Sequence, residues 1–394
     1  MKMSRYLALA AVLAVCAPLA AMPRAAQARH DGIVRAPSIR VLSMVTPTNG
    51  WALEAAAVLH TTNGANLWLN VTPPGVAVTQ NSMAFALDAR AAWVTATRAD
   101  AAHTRVVART TDGGHTWRSY QIPLPSDAAG IGRITFVDRR HGWLLVSLGA
   151  GAGSEGVQIL RTADGGIHWV TVSRTASVQP AAGRLPLHGI KTGITFRDAT
   201  VGWATAAGAG PTNAAWLYIT RDAGHTWQSQ SLTFPTPYQQ GVPMVSPPRF
   251  FTPRDGLLPV VLNAPALAPA VVFYVTHDGG STWAGAAPLP YTATAGSPSW
   301  DFGDLDHGWV AWGTTLHTTV DGGRHWSAIV PTSGFQGVTQ LNFVNARVAW
   351  ALSTGPAGPA LLLKTLDGGH TWSRLSAYVT YPPDRGVHVT ATRR

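Results

Sequence analysis

The chain has 394 residues, 46% hydrophobic and 12% charged, with 40 glycines, 28 prolines, 16 tryptophans and a formal net charge of +10. That much apolar and aromatic material excludes a disordered chain, and no apolar run beyond the N-terminus reaches the ~18 residues of a membrane-spanning helix. Abundant Gly and Pro with so little charge exclude long helices and favour short strands joined by turns.

Residues 1–28 read as a secretory signal peptide. Lys2 and Arg5 open it, an apolar stretch runs from Leu7 to Ala21, and Ala26-Gln27-Ala28 supplies a small-x-small cleavage site. An uncleaved N-terminal membrane anchor is the alternative, which the short stretch and Pro18 disfavour. Cys16, the only cysteine, falls inside this segment, so the mature chain is expected to fold without disulfides. Removing Lys2, Arg5 and Arg24 leaves a net charge of +7. The arginines form no block, which argues against a nucleic-acid partner; the overall field still suits peripheral association with a membrane or wall polymer. A secreted or cell-envelope protein is expected, as a monomer.

From residue 61 one phrase recurs. A decayed copy, Thr61-Thr-Asn63-Gly-Ala-Asn-Leu-Trp68, comes first. It is followed by Thr110-Thr-Asp112-Gly-Gly-His-Thr-Trp117, Thr162-Ala-Asp164-Gly-Gly-Ile-His-Trp169 and Thr220-Arg-Asp222-Ala-Gly-His-Thr-Trp227. Then come Thr276-His-Asp278-Gly-Gly-Ser-Thr-Trp283, Thr319-Val-Asp321-Gly-Gly-Arg-His-Trp326 and Thr365-Leu-Asp367-Gly-Gly-His-Thr-Trp372. A second phrase precedes each copy, as in Phe136-Val-Asp138-Arg-Arg-His-Gly142-Trp143 and Phe196-Arg-Asp198-Ala-Thr-Val-Gly202-Trp203, with looser versions ending at Trp51, Trp93 and Leu257. The final tryptophans lie 43 to 58 residues apart, and each unit reads as four short strands. Four-stranded units at that spacing are the blades of a β-propeller. The expected fold is all-β, a single seven-bladed propeller over 29–376 with the recurring turn between strands three and four of each blade. The blades end near Trp68, Trp117, Trp169, Trp227, Trp283, Trp326 and Trp372. A tail, 377–394, contains Val387–Thr392 as a candidate ring-closing strand.

The Thr-x-Asp-x-Gly-x-Thr-Trp phrase resembles the Asp-box, or bacterial neuraminidase repeat. With the Phe-x-Asp…Gly-Trp phrase ahead of it, each unit is similar to the photosystem II stability/assembly factor type of propeller. The resemblance covers roughly residues 40–376 and is specific for fold rather than function, because sialidases, sortilin-type receptors and assembly factors share the Asp-box. Asn63, Asp112, Asp164, Asp222, Asp278, Asp321 and Asp367 are expected to brace turns, since an Asp opening a Gly-Gly turn accepts hydrogen bonds from the turn itself. No metal or cofactor is expected: no metal-ligand spacing appears and the mature chain has no cysteine.

Function is expected on the face opposite the repeated turns, where the long, unlike loops fall. Thirteen of the 16 tryptophans occupy repeat positions; the exceptions, Trp216, Trp300 and Trp312, map to that rim. With Tyr238, Tyr291, Arg249 and Asp301 they form the candidate binding set, an aromatic mouth for a protein or glycan. The alternative is that these rings plug the channel or pack loops. Two functions are weighed. One is a non-enzymatic exported scaffold that binds an envelope protein or glycan and assists envelope or membrane-complex assembly. The other is glycoside hydrolysis, of sialidase or glucanase type, for which the chain offers only two glutamates, Glu54 and Glu155.

Overall fold

The computed structural model describes residues 33–35, 37–175, 181–208, 215–293, 296–331, 335–354 and 360–380. The signal-peptide segment and Val387–Thr392 lie outside the described residues. Among those described, all regular structure is β except one 3-10 turn, Tyr238–Gln240.

The third repeat unit shows the plan. Strands Gly130–Phe136, Gly142–Gly151, Ser154–Thr162 and Val170–Thr175 pair as a consecutive antiparallel meander. Its first hairpin closes on Asp138, whose Oδ1 accepts the amides of Arg140 at 2.6 Å and His141 at 2.7 Å. Gly142 follows because the Phe136 ring lies across its Cα, where any Cβ would collide. The repeated Gly-Trp pair thus records a close approach. The sixth unit (Ser299–Phe302, Gly308–Trp312, Thr315–Thr319, Ser327–Ile329) and the seventh (Val338–Phe343, Ala349–Thr354, Ala360–Thr365, Ser373–Arg374) repeat this order.

The recurring turns are self-contained. In the second unit the Thr110 hydroxyl donates to Asp112 Oδ1 at 2.8 Å and accepts the Gly114 amide at 2.9 Å. Asp112 also accepts the Thr116 amide at 3.0 Å and hydroxyl at 2.6 Å. Gly113 and Gly114 hold φ of +80° and +87°, a region that costs other residues strain. In two units His168 and His325 replace the final Thr and place Nδ1 on the carboxylate, at 2.7 and 2.6 Å. The decayed copy keeps most of the pattern through Asn63, which accepts the Thr61 hydroxyl at 3.1 Å and the Leu67 amide at 2.9 Å.

Apolar clusters lie between consecutive units. Trp93 and Phe136 join units two and three, Trp143 and Phe196 join three and four, and Trp309 and Phe343 join six and seven. In each pair the strand-two indole stacks on the next unit's Phe, with centroids 3.9, 3.6 and 3.7 Å apart. A further cluster holds Trp350 and Leu352 against Leu42, Leu59 and Trp68, so the seventh unit packs on the first.

Two features depart from a plain repeat. Units four and five share one ten-stranded sheet, because strand Val242–Val245 bridges Ala207 on one side and Val260–Asn263 on the other. The sequence reads Phe234–Pro248 as a long loop; its prolines hide a strand, which stops at Pro247-Pro248 where ladder donors run out. Second, Tyr378–Thr380 lies parallel to Leu67–Leu69 on the outer edge of unit one, and Ile33–Arg35 pairs antiparallel with it.

Candidate functional site

In a four-stranded meander the turns after strands one and three fall at one edge and the remaining connections at the other. Box turns are tied to the strand-two indole of the preceding unit. Trp93 Nε1 donates to Gly165 O at 2.8 Å, Trp143 Nε1 to Ala223 O at 2.9 Å and Trp350 Nε1 to Gly64 O at 3.2 Å. The opposite edge carries the connecting loops. The candidate residues sort into three groups, of which Arg249 and Asp301 depart from the loop face read from the sequence: they pair with Leu257 and Trp309, beside the turns after strand one.

Trp216 and Tyr238 are interior. Trp216 is 1% exposed and packs in the cluster between units three and four. The Lys191 ammonium stands 4.7 Å from its ring centroid and donates to the carbonyls of Pro186, Leu187, His188 and Gly189 at 2.8–3.0 Å. Burial pulls the Lys191 pKa down to about 8, against the pull of Glu155. Tyr238 is buried too, its hydroxyl donating to Ala268 O at 2.8 Å. Neither ring lines an open mouth, so both depart from the rim role read from the sequence. Each is fixed by a segment distant in the chain.

Trp312, Tyr291 and Trp300 are half-buried and share the cluster between units five and six. Trp312 stacks on His317 at 3.9 Å with 10° between planes, and Tyr291 stands 6.2 Å from it. Trp300 meets Phe273 edge-on at 6.2 Å. Burial lowers the His317 pKa and raises that of Tyr291. The histidine escaped sequence reading because it falls outside both phrases; its place opposite Val310 in the unit-six hairpin brings it under the indole.

Arg249 and Asp301 form the third group. Asp301 Oδ1 accepts Arg249 Nη1 at 2.6 Å and the Phe302 amide at 2.9 Å, and Oδ2 accepts the Phe343 amide at 2.6 Å. Burial raises the Asp301 pKa, opposed by the Arg249 charge and those amides. One carboxylate thereby joins the first strands of units five, six and seven. The stitching continues: Gln340 exchanges two hydrogen bonds with the Leu42 backbone, and Arg40 Nη2 reaches Thr79 O and Ser82 O at 3.0 and 2.8 Å.

Glu155, weighed as a catalytic acid, is spent on structure. Its oxygens accept the Ser147 hydroxyl at 2.6 Å and the Lys191 amide at 2.7 Å. Among the described residues no three His, Cys, Asp or Glu side chains converge as metal ligands would. The arrangement offers a partly exposed aromatic ledge, Trp312 on His317 with Tyr291 nearby, a surface for stacking.

No protein-family model matches the chain, and no curated protein matches it. Among solved structures it is similar to YCF48 from Cyanidioschyzon merolae, at 16% identity over 85% of this chain and 98% of that one, TM-score 0.54. YCF48 bound to D1 peptide is alike, at 16% identity over 85% and 94%, TM-score 0.52. A GH74 xyloglucanase from Xanthomonas campestris matches at 14% identity and TM-score 0.53, over 89% of this chain but 54% of the enzyme. With its antiparallel sheets and unit-to-unit packing, the chain is a β-propeller resembling YCF48 and related propellers.

Proposed function

We propose that this protein is an exported, non-enzymatic binding propeller of seven blades that holds a protein or glycan partner of the cell envelope on its loop face and assists assembly there. The observation that carries the reading is the half-exposed ledge of Trp312, His317 and Tyr291, while the Asp301 and Glu155 carboxylates are tied into the fold. Stacking surfaces on a rigid frame bind without losing much side-chain entropy. The likeness to a YCF48 recorded with a D1 peptide supports a peptide-bearing partner in particular. Residues 1–28 direct export and are removed after Ala28; intact-mass analysis of the secreted chain reads this directly.

The test is capture from detergent-solubilised envelope with wild-type protein and a Trp312→Ala/Tyr291→Ala double variant as parallel baits. One specific protein or glycan retained by the wild type alone is expected. Equal recovery by both baits overturns the site, and turnover of fluorogenic glycosides that is lost in Glu54→Gln or Glu155→Gln overturns the non-enzymatic reading.

A further inference from the structure

The junctions between consecutive units are filled in a consistent way, with one exception. Beneath each box turn the preceding unit offers an indole, a cation, or both. Between units two and three Arg109 lies 5.8 Å from the Trp93 ring and donates to Asp164 O at 3.3 Å. Between four and five Arg197 donates to Gly279 O at 2.6 Å. Between seven and one Lys364 stands 5.0 Å from Trp350, with Nζ 3.5 Å from Gly64 O. A methyl group added at Gly165 or Gly279 would strike the guanidinium.

Between units five and six both pieces are missing. Leu257 takes the indole's position, and its ladder partner is Val275, where Trp93 faces Arg109 and Trp350 faces Lys364. A methyl group added at Gly322 would meet only Leu305 O at 3.2 Å and Val275 Cγ2 at 3.8 Å. A cavity of about 180 Å³ opens there, lined by Val275, Leu305, Asp306 and Gly322, with His277 and Arg324 also on its wall. The Asp306 carboxylate has no partner among the described residues, while His277 is held by Asp255 at 2.9 Å. Arg324 does not forbid a second cation: in unit three Arg140 and Arg109 serve the adjacent carbonyls of Ala163 and Asp164.

We propose that this cavity is a binding site for a guanidinium group, supplied by an arginine of a partner chain, which enters where Arg109 and Arg197 stand at the filled junctions. The donors would meet the backbone oxygens at Leu305 and Gly322 and the Asp306 carboxylate, and the stem would lie on Val275. Such charge-assisted bonds are the stronger class of hydrogen bond. The site opens on the box-turn edge, so it stands or falls independently of the aromatic ledge.

The full-length protein is titrated with L-argininamide and with the capped tripeptide Ac-Gly-Arg-Gly-NH2, with urea and ammonium chloride as controls, following backbone amide shifts. Saturable shifts of the Leu305 and Gly322 amides with the guanidinium probes alone are expected, tighter for the peptide. Asp306→Asn, an exposed change, weakens binding about tenfold, the scale of one charge-assisted bond. Val275→Arg fills the cavity from within and abolishes the shifts. If argininamide binds as tightly as the peptide, the ligand is a free guanidinium compound and the partner-arginine assignment falls. Absence of saturable shifts, equal response to urea, or binding indifferent to Asp306→Asn overturns the site.

Discussion

The two edges of the same strands are built on opposite principles. At the box-turn edge the same turn recurs, braced from within by bonds that span two to four positions and capped by an indole or cation of the preceding unit. At the loop edge each unit finds a different solution, and the partners come from afar. Lys191 caps a loop over Trp216, Val242–Val245 bridges two units, and Glu155 receives the amide of Lys191, 36 residues on. Local bonding can be copied from unit to unit, which keeps the ring regular. Contacts peculiar to one unit's loops cannot, and they leave one edge free to differ.

The contrast is tested first in the interior. Trp143→Ala removes a fully buried ring stacked on Phe196 and should cost about 3–5 kcal/mol in denaturant unfolding. Trp216→Ala should cost a similar amount, and would also free the Lys191 ammonium; an unchanged melting temperature would return Trp216 to the binding rim.

Next in size are the turns themselves. Asp112→Ala leaves the Thr116 amide and hydroxyl without their acceptor and should cost about 1–2 kcal/mol. The Thr116 and Thr282 hydroxyls and amides hold the pKa of Asp112 and Asp278 near 2, below the ordinary value of 3.8. Because the folded value is the lower one, their contribution is complete above about pH 4 and lost as pH falls toward 2. Acid unfolding followed by tryptophan fluorescence should therefore show a shallower loss between pH 4 and 2 in Asp112→Ala/Asp278→Ala. The smallest effect on stability is expected at the ledge. Trp312→Ala is half-buried and should lower stability by about 1 kcal/mol or less while removing partner capture.

What could be read from the sequence follows the same division. The box phrases announce themselves because Asp112 bonds Thr110 two positions before it and Thr116 four after it, so their spacing is the structure. The Trp-Phe stacks are visible as paired phrases once the units are aligned. Trp216 misleads because its chain position matches the rim, whereas its burial depends on Lys191 and the loop before it. His317 and the clasp of Glu155 on Ser147 and Lys191 belong to no repeated phrase. Leu257, where the repeat carries Trp, did signal its junction in the sequence; only the Val275 partner shows that a space results.

The pairing of Tyr378–Thr380 with Leu67–Leu69 also has a consequence for how the chain comes into being. Thr380 and Trp68 are 312 positions apart, and Ile33–Arg35 joins the sheet only through that late strand. During synthesis the outer edge of unit one waits, with unpaired backbone groups, until Tyr378–Thr380 has emerged. A stalled or clipped polypeptide keeps that edge open to proteases and to other strands. The strand that follows all the other units in the chain is thereby the one that covers the edge of the first.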